Sequence, residues 1–195
     1  MILFIHGFGS CGWGEKSLAL RRHFGVGRVL APDLAFHPQA AVDQLDRLLA
    51  RHEVAALVGS SLGGFFATWL NRTARLPTVL INPVVHPHRL LARHLGHHKR
   101  WCDDMPFFVG EDNLDALERL DRPSLGAAER YLVLLQQGDE VLDYRQAAAY
   151  YRDKTLHLIP GGNHRFVDFQ RYLPLIEEWI EGPARNHAEE SQTTA

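Results

Sequence analysis

Short apolar runs and amphipathic stretches alternate along this chain from its second residue onward. Ile2–Ile5 is continuously apolar and is closed by His6-Gly7-Phe8-Gly9, the pattern of a buried strand running into a turn. Glu15–His23 has helical patterning, and Arg28–Ala31 predicts a second strand stopped by Pro32-Asp33. Across Gln39–Arg51 the apolar positions Val42, Leu45, Leu48 and Leu49 recur at helical spacing. Val54–Val58 is a third apolar run, bounded by Gly59; Ser61–Arg72 suits a helix and Thr78–Ile81 a fourth strand. Tyr131–Leu135, Asp143–Arg152, Thr155–Ile159 and Phe166–Ile180 continue as strand, helix, strand, helix.

Strands separated by helices of about 10–15 residues predict an α/β fold with about six mainly parallel strands. The strands are uniformly apolar rather than alternating, as expected where helices cover both faces of a sheet. Ligands of such sheets bind beyond the carboxyl ends of the strands, so the turns that follow each strand are where chemistry is expected. The rhythm breaks between about residues 84 and 127, where Pro87, Pro106 and Pro123 punctuate short helical patterns such as Asn113–Leu120. A long ordered insertion of this kind predicts a lid over the strand ends. One domain is expected over residues 1–182, followed by a disordered polar tail over 183–195.

Composition narrows the partners. With 21 basic and 23 acidic residues, the formal charge of -2 provides no footprint for nucleic acid or an anionic membrane. No run of 18 apolar residues occurs, and the apolar start is too short for a signal peptide, so a cytoplasmic protein is expected. The two cysteines, Cys11 and Cys102, follow neither a CxxC nor a disulfide-rich spacing and are expected to be reduced.

The strongest chemical signal is Gly59-Ser60-Ser61-Leu62-Gly63, a G-x-S-x-G frame between a predicted strand and a predicted helix. A nucleophile in that frame sits on a sharp turn above the sheet, and the flanking positions must be small because backbones pass closely there. Only Ser61 satisfies the frame. A nucleophilic serine needs a base, and the chain order in such folds is serine, acid, histidine. Of the later histidines, His157 lies inside a predicted strand and His187 in the tail, whereas His164 sits in the Pro160–His164 loop directly after the last strand and opens the last helix. His164 is therefore the expected base. Asp139 follows the preceding strand and its turn glycine, Gly138, which places it as the acid that orients the imidazole; Glu140 and Asp143 are its rivals, and Asp143 also suits a helix N-cap. The backbone amides of Leu62 and Phe8 are the expected oxyanion donors, and His6 is expected to brace the turn rather than to react. His86, His88, His94, His97 and His98 crowd the lid beside Asp103 and Asp104, yet without metal-ligand spacing, so neither a metal nor a cofactor is expected.

The chain resembles the small bacterial esterases of the YqiA/YcfP family, within the α/β-hydrolase superfamily. The resemblance is carried by Phe4-Ile5-His6-Gly7-Phe8, Val58–Gly64, Asn82-Pro83, Leu134–Gln136, the Gly138–Tyr151 block and Gly161-Gly162-Asn163-His164. It spans about residues 2–180, and the lid matches least. It implies a compact α/β-hydrolase sheet without the superfamily's first two strands, and activity on small carboxylic esters or acyl thioesters. It also implies a triad on Ser61, Asp139 and His164. The expected partner is thus a small-molecule ester or thioester. Two other readings are a non-catalytic module that binds a ligand or partner in the hydrolase pocket, and an acyltransferase.

Overall fold

A computed structural model describes residues 1–182; the expected tail lies outside the described residues. The chain runs β1 (Ile2–Ile5), α1 (Glu15–Phe24), β2 (Val29–Leu30), α2 (Pro38–Arg51), β3 (Ala56–Ser60), α3 (Leu62–Ala74) and β4 (Thr78–Ile81). It continues with α4 (Pro87–Leu91), β5 (Gly96–Lys99), β6 (Pro106–Val109), α5 (Glu111–Leu120), β7 (Tyr131–Gln136), α6 (Tyr144–Tyr150), β8 (Thr155–Ile159) and α7 (Leu173–Glu181). Six strands form one sheet in the order β2-β1-β3-β4-β7-β8. Every neighbouring pair in it is parallel.

Side chains alternate across this sheet and supply two separate cores. Leu3, Ile5, Leu57, Leu80, Val133 and Leu135 join the cluster that contains α2 and α3. Ile2, Phe4, Val58, Val79, Ile81 and Leu134 join the opposite cluster, with Leu20 of α1 and Leu173 and Ile176 of α7. Helices on both faces explain why the inner strands β1, β3, β4 and β7 are buried along their whole length, whereas the edge strand β8 leaves Thr155 and Leu158 exposed.

The strand order reverses beside β1: the chain first steps outward to β2, then returns past β1 to β3 and onward to β4, β7 and β8. Open parallel sheets bind ligands at such a reversal, because the loops leaving the two strands diverge to opposite faces and leave a crevice. Here those loops are His6–Ser10 after β1 and the Ser60–Leu62 turn after β3. They also touch. A Cβ placed on Gly7 would lie 3.1 Å from the Ser61 Cβ and 3.2 Å from the Ser60 carbonyl oxygen.

The insertion after β4 contains helix α4, the antiparallel hairpin β5–β6 and helix α5. The hairpin is absent from the sequence reading, because its first strand, Gly96-His97-His98-Lys99, has no apolar run to announce it. The expected helix over Phe166–Ile180 is also shorter than anticipated. Phe166 and Asp168 adopt left-handed backbone (φ 65° and 58°), so regular helix begins only at Leu173, with Pro174 in its first turn.

Candidate active site

Ser61 stands at the junction of β3 and α3 with φ 54° and ψ -120°, a conformation that costs a non-glycine residue free energy and persists only when its surroundings fix it. They do so through the main chain. Ser61 N–H donates to the Ile81 carbonyl at 3.0 Å, and the Ser61 carbonyl accepts from Gly64 N–H at 2.9 Å and Val84 N–H at 3.2 Å. The two glycines of the frame have a steric reason to be there. A side chain on Gly63 would overlap the Ile5 carbonyl of β1, and one on Gly59 the Gly63 carbonyl.

The Ser61 Oγ lies 3.0 Å from His164 Nε2, and His164 Nδ1 lies 2.8 Å from Asp139 Oδ2. The Asp139 side chain is only 2% exposed, against 21% for His164. Its second oxygen, Oδ1, accepts from the amides of Val141 (2.9 Å) and Leu142 (2.8 Å), so both carboxylate oxygens are committed. An acceptor at Nδ1 places the ring proton there and leaves Nε2 free to accept from the serine hydroxyl. The three side chains are thus one directed chain of hydrogen bonds.

Asp139's two rivals have different partners. Glu140 Oε2 accepts from the backbone N–H of His164 at 2.9 Å, the first cause of a carboxyl pKa below the ordinary value. Glu140 therefore holds the histidine loop and not the imidazole. Asp143 caps α6, accepting from Arg145 N–H at 3.1 Å, and is paired with the Arg145 guanidinium at 2.8 and 2.9 Å; that side-chain pairing leads the causes that depress its pKa. His157 sits within β8; His187 lies outside the described residues.

Two residues without a chemical motif shape this site. Asn82, buried and at φ 40°, donates from Nδ2 to the Asn163 carbonyl (3.0 Å) and the His164 carbonyl (3.4 Å), while its Oδ1 accepts from Gln136 N–H (2.9 Å). Gln136 Oε1 accepts from the amides of Asn163 and Val167, both at 2.9 Å, and its Nε2 donates to the Val167 carbonyl at 2.8 Å. The loop carrying His164 is therefore fastened to the ends of β4 and β7. A buried amide at the carboxyl end of an otherwise apolar strand is the sequence signal for such a fastener. Asn82→Ala strands the buried Gln136 N–H and is expected to cost about 1–3 kcal/mol. A thermal melt checks this, and an unchanged Tm would show that Asn82 carries no such load.

On the other side of Ser61, the β1 loop turns at Gly7–Ser10, with Ser10 N–H donating to the Gly7 carbonyl at 3.2 Å and Gly9 at φ 61°. His6 braces this turn. Its Nδ1–H donates to the Gly7 carbonyl (2.9 Å) and its Nε2 accepts from Leu34 N–H (3.1 Å), which makes it neutral; burial, the leading cause, pushes its pKa down. Phe8 N–H has no acceptor among the described residues. Leu62 is the first residue of α3, where a backbone N–H has no partner within the helix. Next to these amides lies an apolar cavity of about 40 Å³, walled chiefly by Phe8, Phe36, Phe66, Leu91 and Phe107.

The histidines of the insertion are distributed among separate tasks. His86 pairs with Asp121 at 2.5 Å, His98 Nε2 donates to the His94 carbonyl at 2.7 Å, and His97 packs edge-on against Phe108. Among the described residues, no group of three or more His, Cys, Asp or Glu side chains is gathered as a metal ion requires.

The cysteines correct the sequence reading: Cys11 and Cys102 are joined in a disulfide. They are 91 residues apart, and only the hairpin folding back over the β1 loop brings them together, which no local spacing rule reports. The cross-link withdraws the expectation of reduced thiols and, with it, that support for a reducing compartment. Among the described residues no helix is long and apolar enough to cross a membrane.

The parallel sheet, with its serine turn at the strand-order reversal, is an α/β-hydrolase fold. Est1E from Butyrivibrio proteoclasticus with ferulic acid bound is similar in structure, with a TM-score of 0.70 and 14% identity over 93% of this chain and 88% of that one. A monoacylglycerol lipase of Paleococcus ferrophilus is similar with a TM-score of 0.65 and 16% identity, over 92% and 93% of the two chains. The chain belongs to the UPF0227 family (Uncharacterised protein family), whose model matches residues 1–181. A UPF0227 protein of Yersinia pseudotuberculosis serotype O:1b (strain IP 31758) is 25% identical to it, over 91% of this chain and 97% of that protein.

Proposed function

We propose that this protein is a serine hydrolase that cleaves small carboxylic esters or acyl thioesters through an acyl-enzyme on Ser61. The observation that carries the reading is the continuous chain from Asp139 through His164 to Ser61 Oγ, with contacts of 2.8 and 3.0 Å, on a serine held at φ 54°. In this reading Ser61 Oγ attacks the substrate carbonyl as its proton passes to His164 Nε2, and Asp139 stabilises the imidazolium that forms. The unpartnered amides of Phe8 and Leu62 receive the oxyanion. His164 then returns its proton to the departing alcohol or thiol and afterwards draws a proton from the water that releases the acid. The apolar cavity beside Phe8 takes the acyl group. At about 40 Å³ it fits a short one, since a single water already needs roughly 10–15 Å³ on this measure.

The lipase activity named for a similar solved structure agrees with this reading. The substrate is a small molecule, and a net charge of -2 supports neither a nucleic-acid nor a membrane partner. The test is labelling with a fluorescent fluorophosphonate followed by peptide mapping. Label on Ser61, blocked by prior incubation with an unlabelled fluorophosphonate, is the expected result. Folded protein that takes no label would instead favour a pocket that binds without reacting.

A further inference from the structure

The disulfide joins the loop that carries one proposed oxyanion amide to the hairpin that helps wall the proposed acyl cavity. Cys11 is fully buried and lies three positions after Phe8, whose amide is assigned to the oxyanion. Cys102 lies in the turn of the lid hairpin β5–β6, and that turn grips the β1 loop at several points. Trp101 N–H donates to the Gly9 carbonyl at 2.7 Å. Asp33 accepts from Gly12 N–H at 2.7 Å and faces Arg100 at 3.3 Å, while Arg100 is also bound to Asp103. On the far side, the Phe8 ring meets Phe107 and His98 edge-on at 5.4 and 5.3 Å. The hairpin thus holds Phe8 by its side chain and by the backbone that follows it.

Without the cross-link these ties are weak for the task. A two-stranded ribbon is marginal on its own. The tip of this one is exposed, with Trp101 80% and Met105 45% accessible. Gly9, at φ 61°, gives the turn little resistance of its own. The disulfide is the only covalent link between lid and turn among the described residues.

We propose that the Cys11–Cys102 disulfide is a positioning element for the oxyanion turn, and that its reversible reduction turns catalysis down. This rests on the Ser61 acyl-enzyme reading. Cys102 is the less buried of the two residues, so a dithiol attacks there: its thiolate bonds to the Cys102 Sγ and the Cys11 thiolate leaves and is protonated. The second thiol of the reagent then closes on the first, releasing Cys102 as a thiol. Two electrons pass to the protein, and the dithiol becomes a cyclic disulfide.

Displacing an oxyanion donor by about an ångström lowers kcat roughly 10- to 100-fold. The acyl cavity keeps most of its walls, so KM should move far less. The experiment measures kcat and KM for 4-nitrophenyl acetate, well below Tm, on four samples. These are oxidised protein, protein reduced with dithiothreitol and checked by thiol titration, reduced protein reoxidised with glutathione disulfide, and a Cys11→Ser/Cys102→Ser variant checked by circular dichroism. The expected pattern is a low kcat in the reduced protein, recovery on reoxidation, and a variant that is slow and indifferent to dithiothreitol. Fully reduced, folded protein with an unchanged kcat overturns the positioning role. If the variant does not fold, the reversible change in the wild-type protein decides alone. Oxidised protein that neither turns over nor takes a fluorophosphonate overturns the acyl-enzyme reading, and the inference falls with it.

Discussion

Ser61→Ala is expected to lower kcat for a small ester about 10⁴- to 10⁶-fold while leaving the fold intact. The size of the loss follows from the hydrogen-bonded chain. Once Oγ is gone, His164 has no nucleophile to activate, and what survives is the stabilisation from the oxyanion amides and from binding, so His164→Ala should not add much to the loss. Stability should move little, within about 0.5 kcal/mol, or about 1–2 °C in Tm for a chain of this size. Alanine keeps the Cβ that already fits against Gly7, and it inherits the same unfavourable φ of 54° with the same three main-chain hydrogen bonds to hold it. Steady-state turnover and a thermal melt on the same preparation check both halves. A variant that retains wild-type turnover would remove Ser61 from the chemistry altogether.

The sequence is informative wherever a local rule applies. Strands β1, β4 and β8 fall on the predicted residues, because each is a short, largely apolar or β-branched run with a turn signal at its end. β3 is displaced by two residues, covering Ala56–Ser60 where Val54–Val58 is expected, since Gly59 and Ser60 continue the ladder opposite Leu80 and Ile81. Glycine ordinarily marks a strand's end, but here pairing on both sides outweighs propensity. The same holds at the site. Ser61, Asp139 and His164 are legible as turn residues after β3, β7 and β8, and the structure places His164 within hydrogen-bonding distance of both Asp139 and Ser61. Asn82, Gln136 and Glu140 lie in stretches that carry the family resemblance, but no local rule gives their roles as fasteners, which come from loops that meet only in three dimensions. The Cys11–Cys102 pairing is hidden for the same reason, with 91 residues and an unanticipated hairpin between the two ends.

Asp139→Asn is expected to lower kcat about 10⁴-fold, through the position of one proton. The substituted side chain has a forced orientation. Its carbonyl oxygen takes the place of Oδ1 and accepts from the amides of Val141 and Leu142 (2.9 and 2.8 Å in the wild type), because an amide nitrogen there would face two N–H donors. The NH₂ group then faces His164 Nδ1, where the carboxylate oxygen stands at 2.8 Å, and donates to it. The ring proton is driven to Nε2 and points at Ser61 Oγ, so the imidazole can no longer accept the serine proton. Asp143→Asn is the matched comparison, one carboxylate exchanged for an amide in the same loop. Asp143 caps α6 and pairs with Arg145 on the surface, so kcat should stay at the wild-type level. Parallel measurement of kcat and of the rate of fluorophosphonate labelling separates the two, since a lost base slows both. Should Asp143→Asn suffer the larger loss, the acid role would pass to Asp143 and the contact between Asp139 and His164 would be structural.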